Sequence, residues 1–99
     1  MKKIYVDIDE TICEYQDERR YDLAIPILHR ISAINDLYDE GHEVFYWTAR
    51  GTVTGIDWRS VTEEQFKRWG VKCRGIIFGK PAFDIFIDDK AINSEEYFK

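Results

Sequence analysis

The chain has 99 residues, 44% of them hydrophobic and 15% aromatic, and a formal net charge of −5 at pH 7. That is enough apolar material for one packed domain and too much for a disordered chain. No Lys/Arg block exceeds the pairs Lys2-Lys3 and Arg19-Arg20, which excludes a general nucleic-acid-binding surface. The basic opening meets Asp7 too soon to form a signal-peptide core, and no later run could span a membrane. Cys13 and Cys73 stand far apart without zinc spacing, as expected of reduced thiols in a cytoplasmic protein.

Residues 3–8 read as a short buried strand of β-branched and aromatic residues with acids only at its end. The stretch 10–22 is acid-rich, holds Arg19 and Arg20 and has no clear period, so it predicts a loop or small flap. Pro26 fits the first turn of a helix carried by Ile27, Leu28, Ile31, Ile34, Leu37 and Tyr38, with Gly41 as its stop. Residues 43–48 predict a second strand ending at Thr48. A loop with two glycines follows. Ser60 to Glu63 then has the form of a capping box, opening a helix with Phe66 and Trp69 on one face and Gly70 closing it. Residues 75–78 predict a third strand, 79–84 a turn, 85–88 a fourth strand, and the tail one helical turn.

Strands separated by helices imply parallel pairing with right-handed crossovers. Such sheets bind ligands outside the carboxyl ends of their strands. Asp7 and Asp9 would then share one edge with Thr48, Lys80 and the pair Asp88-Asp89. Several carboxylates gathered there would repel unless neutralised, and a magnesium ion with oxygen ligands fits. Asp7 and Asp88 are the best side-chain ligands, with the Asp9 carbonyl as a third. A carboxylate there could also attack phosphorus, giving an aspartyl-phosphate. Thr48 and Lys80 would donate to phosphoryl oxygens. Asp9, crowded by like charge, is expected to keep a proton for the leaving oxygen and later to activate water.

The hydrophobic strand followed by Asp7, Asp9 and Thr11, the strand ending in Thr48, then Lys80 and Asp88-Asp89, resemble the haloacid dehalogenase superfamily of phosphohydrolases. These elements keep the family's order and span residues 4–89. The resemblance implies a three-layer α/β/α Rossmann-like domain over residues 1–99, with a parallel sheet of four strands, or five if the tail or a partner adds one. It makes Asp7 the nucleophile, Asp9 the acid/base, Thr48 and Lys80 the phosphoryl-positioning groups, and Asp7, Asp9, Asp88 and Asp89 the magnesium site. The stretches 47–51 and 79–93 look more narrowly like small members found near polysaccharide or capsule biosynthesis. Neither insertion point has room for a cap domain. The implied activity is a magnesium-dependent phosphatase acting on a sugar phosphate or nucleotide, with a neighbouring subunit as one means of covering the open site.

Blander readings stand beside these. Trp47, Trp58 and Trp69 fit a core or a lid better than a sugar platform, with Trp58 the best exception. Arg50 is a candidate substrate contact two residues past Thr48. Arg19 and Arg20 fit a solvated face, and His29 and His42 have no partner pattern. Transfer to an acceptor other than water, a receiver-like phospho-signalling module and a phosphate-binding relative are the alternatives. A receiver, however, places its acid pair early and its phosphoacceptor later, the reverse of the order here.

Overall fold

The computed structural model describes residues 1–99. In chain order its elements are β1 (Lys3–Val6), β2 (Cys13–Glu14), β3 (Ile25–Pro26), α1 (Leu28–Asp39), β4 (Glu43–Thr48), α2 (Arg59–Trp69), β5 (Gly75–Phe78) and α3 (Ser94–Tyr97), with a 3₁₀ turn at Tyr21–Leu23. The main sheet has the order β1-β4-β5 and is parallel throughout, with Lys3 opposite Glu43 and Phe45 opposite Gly75.

Two right-handed crossovers that step in the same direction across a sheet leave their helices on the same side. The burial pattern agrees. Val6, Val44 and Tyr46 enter one cluster with Ile31 and Ile34 of α1 and Phe66 of α2. The alternate residues Tyr5, Phe45 and Trp47 instead contact one another, with ring centroids 5.6 and 6.2 Å from Tyr5, and Tyr5 is half exposed. The strand period of two has split the chain's aromatics between a covered and an open face. The result is two layers, not the expected three.

The sheet also has three strands, not four or five. Residues 81–93 carry no regular structure and are exposed along almost their whole length. Pairing 85–88 in parallel beside β1 would require a crossover, normally a dozen or more residues long. Only residues 79–84 are available. The apolar pattern at Ile85 and Ile87 is strand-like, but the connection is too short.

Two local expectations also change. Pro26 lies in β3 rather than in α1, where it pairs with Cys13 in a small antiparallel ribbon that forms the base of the flap. The Ser60 capping box does not form. Helix α2 starts two residues earlier than a Ser60 cap would place it, and its first residue is caught by Asp57, whose Oδ1 accepts the Arg59 N–H at 3.0 Å. The ends assigned to Gly41 and Gly70 hold, and Gly70 takes the left-handed conformation at φ 72°.

Tyr46 is fully buried and packs edge-on against Phe66 at 5.0 Å, yet its hydroxyl has no hydrogen-bond partner. A buried polar group without a partner costs about 1–3 kcal/mol. Tyr46→Phe should therefore leave the urea midpoint unchanged or raise it by up to about 1 kcal/mol equivalent. A clear loss in equilibrium unfolding would show that the hydroxyl is satisfied.

Candidate active site

The carboxyl ends of the three strands face an open cleft of about 580 Å³ whose lining includes Asp7, Asp9, Tyr21, Trp58, Lys80 and Phe83. Asp7 follows the last residue of β1. Its Oδ1 accepts from Lys80 Nζ at 3.1 Å and its Oδ2 from Thr11 Oγ1 at 3.1 Å. Each oxygen thus has one donor and keeps a free lone pair. Lys80 is held over the Trp47 and Phe83 rings at 5.4 and 5.5 Å. Its backbone N–H continues the β4–β5 ladder to the Thr48 carbonyl at 3.0 Å.

Asp9 is in a different environment. Arg50 Nη2 donates to its Oδ1 at 2.9 Å and Nε to its Oδ2 at 3.1 Å. The Tyr15 hydroxyl and the Cys13 thiol donate to the same Oδ1. Burial alone would raise the Asp9 carboxyl, but Arg50, through hydrogen bonds and charge, and then Tyr15 and Cys13, hold it below the ordinary carboxylate range. Asp9 is therefore ionised, contrary to the expectation that it keeps a proton. That expectation rests on crowding by the other carboxylates of the strand edge. In the fold Asp7 is paired with Lys80, and Asp9 answers to Arg50. Burial, then the Asp9 charge, push the Cys13 thiol up to about 12, so it stays a neutral donor.

Arg50, expected to meet substrate, is turned inward with only 2% of its surface exposed. Its Nη1 donates to Thr62 Oγ1 at 2.9 Å and to Gln65 Oε1 at 2.7 Å, both on α2. All its directional contacts are internal, so in this conformation it organises the site from behind. The turn that sends it inward needs Gly51: at φ 82° a Cβ there would lie 2.1 Å from the Ile56 carbonyl oxygen. Thr48 is also buried, and its Oγ1 accepts the Arg50 N–H at 3.1 Å while keeping its own proton to donate.

Asp7, Asp9, Thr48, Arg50 and Lys80 are thus brought together. Asp88 and Asp89 are not. Both are exposed, and Asp88 Oδ2 accepts the Lys90 N–H at 2.9 Å. No group of three or more Asp, Glu, His or Cys side chains is placed to hold a metal. Asp88 and Asp89 lie outside the cleft and the Asp9 carboxylate is engaged by Arg50, so the four acids of the expected magnesium site are not assembled in a single chain. Tyr15, Tyr21 and Gln65 belong to the site without having been anticipated. Gln65 Nε2 hydrogen-bonds the Tyr21 carbonyl, and the Tyr21 ring meets Trp58 at 5.2 Å, tying the flap to α2. The only sequence signal for the two tyrosines is their place in a stretch that predicts a loop or small flap, and Gln65 has none.

No protein-family model matches the chain, and no curated protein does. The crystal structure of a target protein from Vibrio cholerae is similar to it, with 27% identity and a TM-score of 0.87, covering 99% of this chain and 88% of that one. The likeness is one of fold and spans the whole domain. No helix is long and apolar enough to cross a membrane.

Removing one member of a buried pair leaves the other uncompensated, at a cost of about 3–5 kcal/mol. Arg50→Met should lower stability by about that amount in urea unfolding, whereas Arg20→Met, at an exposed pair, should change it by less than about 1 kcal/mol. The pH dependence has a definite sign. Because the folded Asp9 value lies below the unfolded one of about 3.9, its contribution is present above that value and is lost as pH falls through the folded value. Urea midpoints measured at descending pH should therefore show an acid loss in the wild type that is smaller in Asp9→Asn.

Proposed function

We propose that this protein is a phosphohydrolase of the haloacid dehalogenase kind, releasing phosphate from a phosphomonoester through an aspartyl-phosphate on Asp7. The observation that carries the reading is the state of Asp7. It is a carboxylate at the end of a parallel strand, open to a cleft, with one oxygen fixed by an ammonium and the other by a hydroxyl. Such a group is oriented for in-line attack and still has a lone pair to attack with.

In the first half-reaction an Asp7 oxygen forms a bond to phosphorus as the ester P–O bond breaks, and the leaving oxygen takes up a proton from water, because Asp9 is ionised in the resting protein. In the second, water attacks phosphorus, gives up a proton, and the acyl phosphate P–O bond breaks to return Asp7. Lys80 and the Thr48 hydroxyl stabilise charge on the phosphoryl oxygens. Asp9 accepts the proton of the attacking water in the second half-reaction and releases it to solvent. Surrounded by donors, it is arranged in the resting protein as an acceptor, which suits the step in which water is activated. No step is routed through a metal, because one chain does not supply its ligands.

The cleft walls support the substrate class. Tyr21, Trp58 and Phe83 offer aromatic surface for a sugar or base, and Arg19 and Arg20 add positive charge at the flap. A sugar phosphate or a nucleotide satisfies both. In this reading the protein works in the cytoplasm, with Cys13 and Cys73 as free thiols.

The test is phosphate release from an aryl phosphate, sugar phosphates and nucleotides, each with magnesium and with EDTA. Wild-type release should vanish in Asp7→Asn while its circular dichroism is unchanged. Activity retained by Asp7→Asn would rule out the covalent scheme. A phosphoprotein stable for minutes, with no release, would point to a signalling or transfer role instead.

A further inference from the structure

The segment after Lys80 is anomalous. Ile85 is 77% exposed, Phe86 52% and Ile87 92%, an apolar run left in water in a chain that buries similar residues elsewhere. Across the molecule, β1 is an edge strand paired only with β4. Its outer row of N–H and C=O groups has no strand beside it, and Lys3 and Tyr5 on it are exposed. An apolar strand-forming segment and an open parallel edge are complementary templates.

The segment cannot satisfy the edge of its own chain in a parallel sense. Lys80 is fixed in line with β5 by its bond to the Thr48 carbonyl, and its carbonyl accepts from Thr52 Oγ1 at 2.8 Å. From there Ile85 would have to cross three strand spacings, about 14 Å, and return about 20 Å along the strand direction to lie level with Ile4. The direct path is about 24 Å before any detour around side chains, and five fully extended residue steps reach at most about 18 Å. A hairpin-like antiparallel return would carry Asp88 to the far end of the sheet.

We infer that residues 85–88 of one copy of this chain add as a parallel strand to the β1 edge of a second copy, in a reciprocal two-fold exchange. Both flanks of the segment lack regular structure. Its far end is pinned back on α1, where Arg30 pairs with Glu95 at 3.2 Å and lies over the Phe98 ring at 4.9 Å. A two-fold exchange buries both apolar segments and closes both edges with one kind of contact. It also carries Asp88 and Asp89 to the strand ends beside Asp7 of the other copy, supplying the carboxylates that a single chain leaves outside the cleft. The pairing is independent of the phosphatase reading; the delivery of Asp88 to a working site rests on it.

Two measurements decide these points. Sedimentation at micromolar concentration should give a dimer for the wild type and a monomer for Ile85→Lys/Ile87→Lys. The far-UV spectrum of that variant should be native, because both positions are exposed within one chain. A monomeric wild type, or a dimer indifferent to these substitutions, overturns the pairing whatever the protein catalyses. For the delivery, Asp7→Asn and Asp88→Asn chains carrying different tags would be co-expressed and the mixed dimer isolated. One of its two sites would combine an intact Asp7 with an intact Asp88, so it should recover about half the wild-type phosphate release, while each parent stays inactive. A mixed dimer as inactive as its parents, beside an active wild type, overturns delivery in trans. If the wild type releases no phosphate, the delivery falls with the phosphatase reading, and sedimentation still decides the pairing.

Discussion

The ion pair between Arg50 and Asp9 ties together parts of the chain that otherwise meet only at their edges. One guanidinium joins the loop after β1, the end of β4, and helix α2 through Thr62 and Gln65. Gln65 extends the link to the 3₁₀ turn of the flap. A buried arginine is expensive to desolvate, and good geometry with all its partners is what makes it tolerable. The fork shape of the guanidinium matters here: it reaches acceptors on two sides, which a lysine could not do. Asp7, two residues before Asp9, is thereby left to Lys80 and Thr11. Two acids one residue apart acquire different partners, and so different chemistry.

The second constraint is the handedness of the crossovers. Both connections step the same way, so both helices cover one face and the other keeps Tyr5, Phe45 and Trp47 at its surface. That face is partly occupied at its upper end, where Lys80 crosses Trp47 on its way to Asp7. The charged end of the lysine lies over the ring and also serves the cleft. A packing contact and a site contact are made by one side chain.

Most of the sheet and both long helices were legible from periodicity, because Ile31, Ile34, Val44, Tyr46 and Phe66 repeat at the spacings their elements require. The approach of Lys80 to Asp7 was legible too, since parallel strands bring their carboxyl ends to one edge. What failed did so for physical reasons. Residues 85–88 have the composition of a strand, but strand formation depends on a partner within reach, and the chain length between Lys80 and Ile85 forbids the one assumed. Ser60 matched a capping pattern that Asp57 supplanted from three residues upstream. The ionisation of Asp9 is set by Arg50, which is distant in sequence and whose place two residues past Thr48 suggests a substrate contact, not a buried ion pair. Tyr15 and Tyr21 lay in a stretch without period, where no pattern rule applies.

The register of the sheet also governs how the chain must fold. Lys3 pairs with Glu43, and Phe45 with Gly75, so every ladder bond of the main sheet closes a loop containing a whole helix. No strand finds its partner locally, and the ribbon of β2 and β3 is the nearest thing to a local pairing. Loop closure of this kind is costly before any contact compensates it, which slows folding relative to helical domains of similar size. On a ribosome β1 would emerge first and wait for β4, and β4 would in turn lack its second neighbour until β5 followed. Helix α1 is local and can form early, shortening the loop that β1 and β4 have to close. The central strand, whose side chains Val44, Tyr46 and Thr48 are the most completely buried of the sheet, is then the element around which the two halves of the chain condense.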